Sequence, residues 1–217
     1  MAKGTDFGGL HSFRDLHLLQ ASVDVQPAKP KTKFIDIPGA DGSKDFSESP
    51  AGRVVFGARK ITWTFKLYPG DRWPEKYAQV SNALNGTACK ITLDDDPEYY
   101  YSGRLSVDKH KADGILHTIT VSATCQPFKL WQSETVVSDA LTTTYKTLTL
   151  RCDRMPTVPT ITVTAPTTLV WEGNAYSLNA GTHRLLDIQL TEGANYIQAR
   201  TTSGTGTIKF VYQEGAL

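Results

Sequence analysis

The stretch LDDDPEYYYSGR sets three adjacent aspartates, Asp94, Asp95 and Asp96, just ahead of three adjacent tyrosines, Tyr99, Tyr100 and Tyr101. Clustered carboxylates can hold a divalent cation or divide acid and base roles between them. A calcium loop, however, spaces its ligands at alternate positions with a glycine among them, so that the side chains converge. Neighbours on an extended chain point to opposite faces, and Pro97 follows directly. The pattern therefore predicts a turn between two strands, with no metal. The histidines (His11, His17, His110, His117 and His183) show no HxH or HExxH spacing, and no GxSxG marks a nucleophile elbow. His117 falls on the apolar face of a strand and is read as a core histidine. SGTGT at 203–207 precedes a strand, so it lacks the helix N-terminus of a phosphate loop and is read as a hairpin turn. The chain is expected to have no catalytic residue and no cofactor, and not to be an enzyme.

The elements that carry these residues are mostly strands. In KITWTFKLY, Ile61, Trp63, Phe65 and Leu67 share one face. CKITL (Cys89, Ile91, Leu93) and HTITVSATC (His117 to Cys125) alternate likewise, the period of half-buried strands. The same alternation puts Tyr99 and Tyr101 with Leu105 and Val107 in a core, and leaves Tyr100 facing outward as a candidate interface anchor. A single short helix is predicted near 74–84: Pro74 suits its start, Tyr77, Val80 and Leu84 form one stripe, and Gly86 can end it. KFIDIPGADGSKDFSES combines a strand with the turn dipeptides Pro38-Gly39 and Asp41-Gly42. The basic, proline-spaced PAKPKTK ahead of it reads as an extended connector. Lys31, Lys33, Pro38, Gly39 and Asp41 lie in this connector and turn.

Pro127 interrupts the pattern, and a domain boundary is expected near Gln126 to Ser138. The division is 1–126, a linker at 127–137, and 138–217. The last part reads as strands throughout: YKTLTLR, TITVTA, TLVWEG, RLLDIQL, NYIQAR and TIKFVYQ, separated by glycine- and asparagine-containing turns. That spacing is a β-sandwich signature. Trp171 is expected in its core; as a sugar platform with Tyr176 it would instead make this half a carbohydrate-binding module. The fold class is mainly β, in two domains.

Composition closes off other classes. Lys and Arg number 23 against 22 Asp and Glu, net +1, so there is no overall basic footprint for nucleic acid. The three cysteines (Cys89, Cys125, Cys152) are odd in number and form no CxxC, which favours reduced, buried thiols. No signal-peptide core and no membrane-length apolar run is present. A soluble protein that does not contact membranes is expected.

In order along the chain, FIDIPGADGSKDFSES, RKITWTFKL with the Trp-containing helix, KITLDDDPEYYYSGRLSVD and TITVSATCQPFKLW resemble the distal tail protein (Dit) family of phages with long non-contractile tails, most like those of Gram-positive hosts. The C-terminal half, from TVPTITVTAPTTL to IKFVYQEGAL, is similar to that family's terminal domain, so the likeness spans roughly 8–217. The resemblance implies an N-terminal β-sandwich with a helix that forms a homohexameric ring, and a galectin-like C-terminal β-sandwich. It implies a structural baseplate hub at the distal end of the virion tail, assembled in the bacterial cytoplasm. Its partners would be the major tail-tube protein, a tail-tip or tail-associated lysin protein and a receptor-binding protein, with DNA only in transit through the central channel. The short C-terminal half leaves no room for an extra carbohydrate-binding domain, so no direct glycan contact is expected. In such a ring Lys31, Lys33, Pro38, Gly39 and Asp41 are candidates for an arm reaching a neighbouring subunit, with a connector inside the chain as the alternative, and the Asp94–Asp96 turn is a candidate acidic lining of the channel, six times repeated. A tail-tube subunit is the further alternative.

Overall fold

The computed structural model describes residues 3–68, 70–113 and 116–217. The chain divides into two compact units, Met1–Lys129 and Leu130–Leu217. Each has a hydrophobic cluster of its own.

The first unit holds β1 (Thr5–Phe7), β2 (Leu10–His11), β3 (Leu18–Val25), β4 (Phe34–Asp36), β5 (Ser43–Asp45), β6 (Arg59–Leu67), α1 (Trp73–Leu84), β7 (Ala88–Leu93), β8 (Tyr99–Asp113) and β9 (Leu116–Cys125). Seven of these strands make one antiparallel sheet in the order β2-β1-β7-β8-β9-β6-β3. Phe7 of β1 packs edge-on against Trp63 of β6 at 5.1 Å. Those strands are four places apart in the sheet, so the sheet bends over on itself and its two arms become the two layers of the sandwich. Ile61, Trp63, Phe65, Ile119 and Val121, the inward sets read from the alternation, are wholly buried between them.

The helix begins one residue earlier than predicted, with Pro74 inside its first turn, where its missing N–H breaks no helical bond. Val80 and Leu84 are buried and Tyr77 half-buried, so the predicted stripe meets the core. Gly86 takes φ 79°, beyond the helix end, a region glycine enters without Cβ cost.

The second unit continues from β10 (Lys129–Trp131), a short strand at the division, through β11 (Thr135–Leu141), β12 (Lys146–Cys152), β13 (Thr160–Val163), β14 (Thr167–Trp171), β15 (Asn174–Leu178), β16 (Gly181–His183), β17 (Gly193–Thr201), β18 (Gly206–Tyr212) and β19 (Gly215–Ala216). Two four-stranded sheets, β11-β18-β13-β16 and β12-β17-β14-β15, enclose a core that includes Leu150, Ile161, Leu169, Ile197, Ile208 and Phe210. The mainly β, two-domain architecture is therefore as expected.

Three local expectations need correction. RLLDIQL is not a strand: Leu186 sits on a turn, 76% exposed, while Ile188 and Leu190 plug the core from irregular backbone. Apolar residues two apart look the same from a strand or from a loop that dips inward. SGTGT is no hairpin turn, because β17 and β18 belong to different sheets; it carries the chain from one layer to the other. The segment from Thr135, within the stretch read as linker, pairs along β18 from Thr135↔Tyr212 to Leu141↔Gly206. One true hairpin turn is Glu172-Gly173, both at positive φ (48° and 81°), the conformation that matches strand twist in a two-residue connection.

Candidate assembly surfaces and the acidic turn

The three aspartates do occupy the turn between β7 and β8. They do not converge; each carboxylate takes a different partner. Asp94 accepts the Gly4 amide at 2.8 Å and faces His11 Nε2 at 3.2 Å. Asp95 pairs with Lys3 at 2.5 Å, and Asp96 with Lys129 at 2.7 Å. His11 Nδ1 accepts the amides of Phe13 and Arg14, which puts the ring proton on Nε2, toward Asp94. With its free lone pair committed to backbone, that imidazole has none left to serve as a base, and its side chain is 5% exposed. Gly4 is required here, since a Cβ would stand 2.4 Å from His11 Cε1. The turn is a clasp that ties the N-terminal segment and Lys129 to the β7–β8 connection.

Each tyrosine has a cation over its ring. Lys129 Nζ lies 4.0 Å from the Tyr99 centroid, Lys90 Nζ 4.3 Å from Tyr100, and the Arg59 guanidinium 5.4 Å from Tyr101. Tyr101 is in the core as expected, and Tyr99 is half-buried. The expectation of an exposed Tyr100 is corrected: it is only 7% exposed. Lys90 lies diagonally across the β7–β8 ladder on the same face, and its long side chain roofs the ring.

Lys31, Lys33, Pro38, Gly39 and Asp41 are all exposed. They belong to a β-hairpin of β4 and β5 and the connector leading into it, and this two-stranded sheet joins no other. Its turn is built as Pro38-Gly39 predicts, with Gly39 at φ 84° and the Ala40 amide bonded to the Ile37 carbonyl at 3.1 Å. Backbone bonds anchor its base: Lys31 N to Val55 O and Phe46 N to Lys33 O, both 2.8 Å. Above the base nothing is buried. Phe34 is 59% exposed, and Ile35, Ile37 and Phe46 lie close to 40%. The sequence pointed to the lysines and the turn but not to these apolar groups, because strand periodicity does not say whether a face has anything to pack on.

Trp171 is 6% exposed and does not stand as a flat platform, while Tyr176 is half-buried and packs against the same core. All three cysteines are free thiols, and burial holds Cys125 and Cys152 up at about 11 and about 12, protonated and inert. Among the described residues no three His, Cys, Asp or Glu side chains gather as a metal ion would need. Among them, too, no helix is long and apolar enough to cross a membrane.

The bent N-terminal sheet sandwich with one helix, followed by a smaller two-sheet sandwich, is a fold found in a solved structure. The solved structure that shows this is the crystal structure of SPP1 Dit (gp 19.1), described as a paradigm of hub adsorption apparatus in Gram-positive infecting phages. It superposes with a TM-score of 0.70 over 100% of both chains at 17% sequence identity. A de novo designed double-stranded beta-helix aligns with 38% of this chain at 19% identity and a TM-score of only 0.28, too low to inform the fold. No protein-family model and no curated protein matches the sequence.

Proposed function

We propose that the chain is a structural hub at the distal end of a phage tail: six copies close into a ring that joins the tail tube to the tail-tip proteins, with DNA passing through the centre. The observation that carries this is the agreement of the whole fold, over the full length of both chains, with a hub protein. Isolated two-stranded hairpins are marginal in water, and a projecting hairpin with four exposed large apolar side chains has a physical reason to exist if a neighbouring copy covers it. Ring subunits meet head to tail, so an arm on one side and its receiving surface on the other are what such an interface uses. Placement in a virion tail, assembly in the host cytoplasm and the tube and tip partners are all part of the proposal.

The acidic turn enters this proposal in changed form. With Asp95 and Asp96 paired to lysines and Asp94 facing a neutral histidine, each turn keeps a small net negative charge, so a sixfold repeat would give a mildly acidic collar. Such a lining would still offer transiting phosphates few free cations to grip. The carbohydrate-binding alternative loses Trp171 to the core, and Tyr176 is half-buried against it. Electron microscopy of the purified protein, alone and mixed with its tube and tip partners, tests the proposal. Closed six-subunit rings are expected; open-ended tubes, or no association even with both partners present, would overturn it.

A further inference from the structure

His110 on β8 and His117 on β9 face each other across one hairpin, with Nε2 of the first 3.1 Å from Nδ1 of the second. Their planes differ by 16° and their centroids stand 5.2 Å apart, so the rings lie edge to edge with an N–H facing a lone pair. The Trp73 indole covers this pair, 4.2 Å and 6° from His110 and 6.1 Å and 18° from His117. Tyr77, one turn further along α1, meets His110 obliquely at 6.1 Å. Trp73 is the first residue of α1, and Arg72 before it makes no side-chain capping bond. The start of the helix is thus held to the hairpin by aromatic stacking.

The protonation chemistry of such a pair is restrictive. Two neutral imidazoles satisfy the contact with one N–H and one lone pair. A single added proton keeps that bond and adds a cation beneath an indole face, which is favourable. A second added proton sets two N–H groups and two positive charges against each other. The neighbouring lysines lie on the other face of the sheet: Lys109 and Lys111 alternate with His110 on β8, and Lys66 on β6 is level with Thr118, one residue from His117. On α1, Glu75 is paired with Arg72, and Lys76 with Asp71. On β9, Thr118, Ile119 and Thr120 bring no charge.

We propose that the imidazole pair under Trp73 is an acid-operated latch: it holds the first turn of α1 on the β8–β9 hairpin while the two rings carry at most one extra proton, and releases Trp73 when both are protonated. Burial and the neighbouring His117 both lower the pKa of His110 below its ordinary 6.5. The unfolded chain therefore takes up this proton before the native one does, and the stability of the latch is full above that value and falls as pH drops through the lowered one.

The test is an NMR titration of the full chain from pH 8 to 4.5, following the imidazole C–H groups and the Trp73 indole N–H, the latter assigned with Trp73→Phe. Two steps are expected, separated by more than about one pH unit as coupled sites require, with the Trp73 signal moving only in the lower step. In His117→Gln the lower step and the Trp73 movement should both vanish while the β-sheet circular dichroism is kept. Two histidines titrating independently near the ordinary value, or a Trp73 signal unchanged across both steps, would overturn the latch; the native chain alone decides this if His117→Gln fails to fold.

Discussion

Single residues in this chain are fixed mainly by what surrounds them. Gly103 lies in β8 opposite Cys125, and a Cβ there would stand 2.5 Å from the Cys125 sulfur and 2.9 Å from the Thr124 carbonyl. Backbone in the middle of a ladder cannot yield as a surface loop does. Gly103→Ala is therefore expected to destabilise the first unit by about 1–3 kcal/mol, the usual penalty of overpacking, measured by urea denaturation. Gly173→Ala would be a poor control because of its positive φ. A fair one is Ala175→Gly, an exposed change, which should cost less than about 1 kcal/mol. The acidic triplet has the same character: three carboxylates that look like one site in the sequence serve three separate attachments in space.

At the level of elements, α1 and the β4–β5 hairpin are opposites. The helix is short and owes its persistence to Val80 and Leu84 in the core and to Trp73 on the histidine pair. The hairpin has no such support, and its apolar side chains lie open. Replacing Phe34 and Ile35 together by serine should accordingly leave the melting temperature of the isolated protein within about 2 °C, a change of no more than about 1 kcal/mol on the usual scale for chains of this size. The same double variant should abolish or sharply weaken ring formation, read by light scattering coupled to size exclusion. Unchanged assembly would show that the hairpin is not the arm of the proposed interface.

For the whole molecule, the two separate cores predict separable folding. The second unit encloses sixteen buried core residues of its own. A chain of residues 130–217 should therefore fold alone and melt cooperatively, with the dispersed amide spectrum of a β-sandwich. A molten spectrum for that fragment would mean that the units depend on each other for stability. Under the proposed hub role, independent folding would let the first unit assemble without constraint from the second sandwich.

Much of this was legible in the amino-acid sequence. Strand periodicity, the helix and the turn after Leu93 are local properties: alternation reports one buried face, and proline and glycine report the few backbone conformations open to them. So Trp63, Phe65 and Val121 could be placed in a core, and Asp94–Asp96 in a turn, before any fold was known. Only the tertiary structure decided what lies against each face. It buried Tyr100 beneath Lys90, gave each aspartate its own partner, left Phe34 and Ile35 bare, and brought His110 and His117 together under Trp73. It also turned RLLDIQL from an apparent strand into a loop that reaches the core. The physical reason is the same each time: a residue's periodicity is set by its own chain, whereas its burial and charge partners are set by segments far off in sequence, as between Gly4 and Asp94, ninety residues apart.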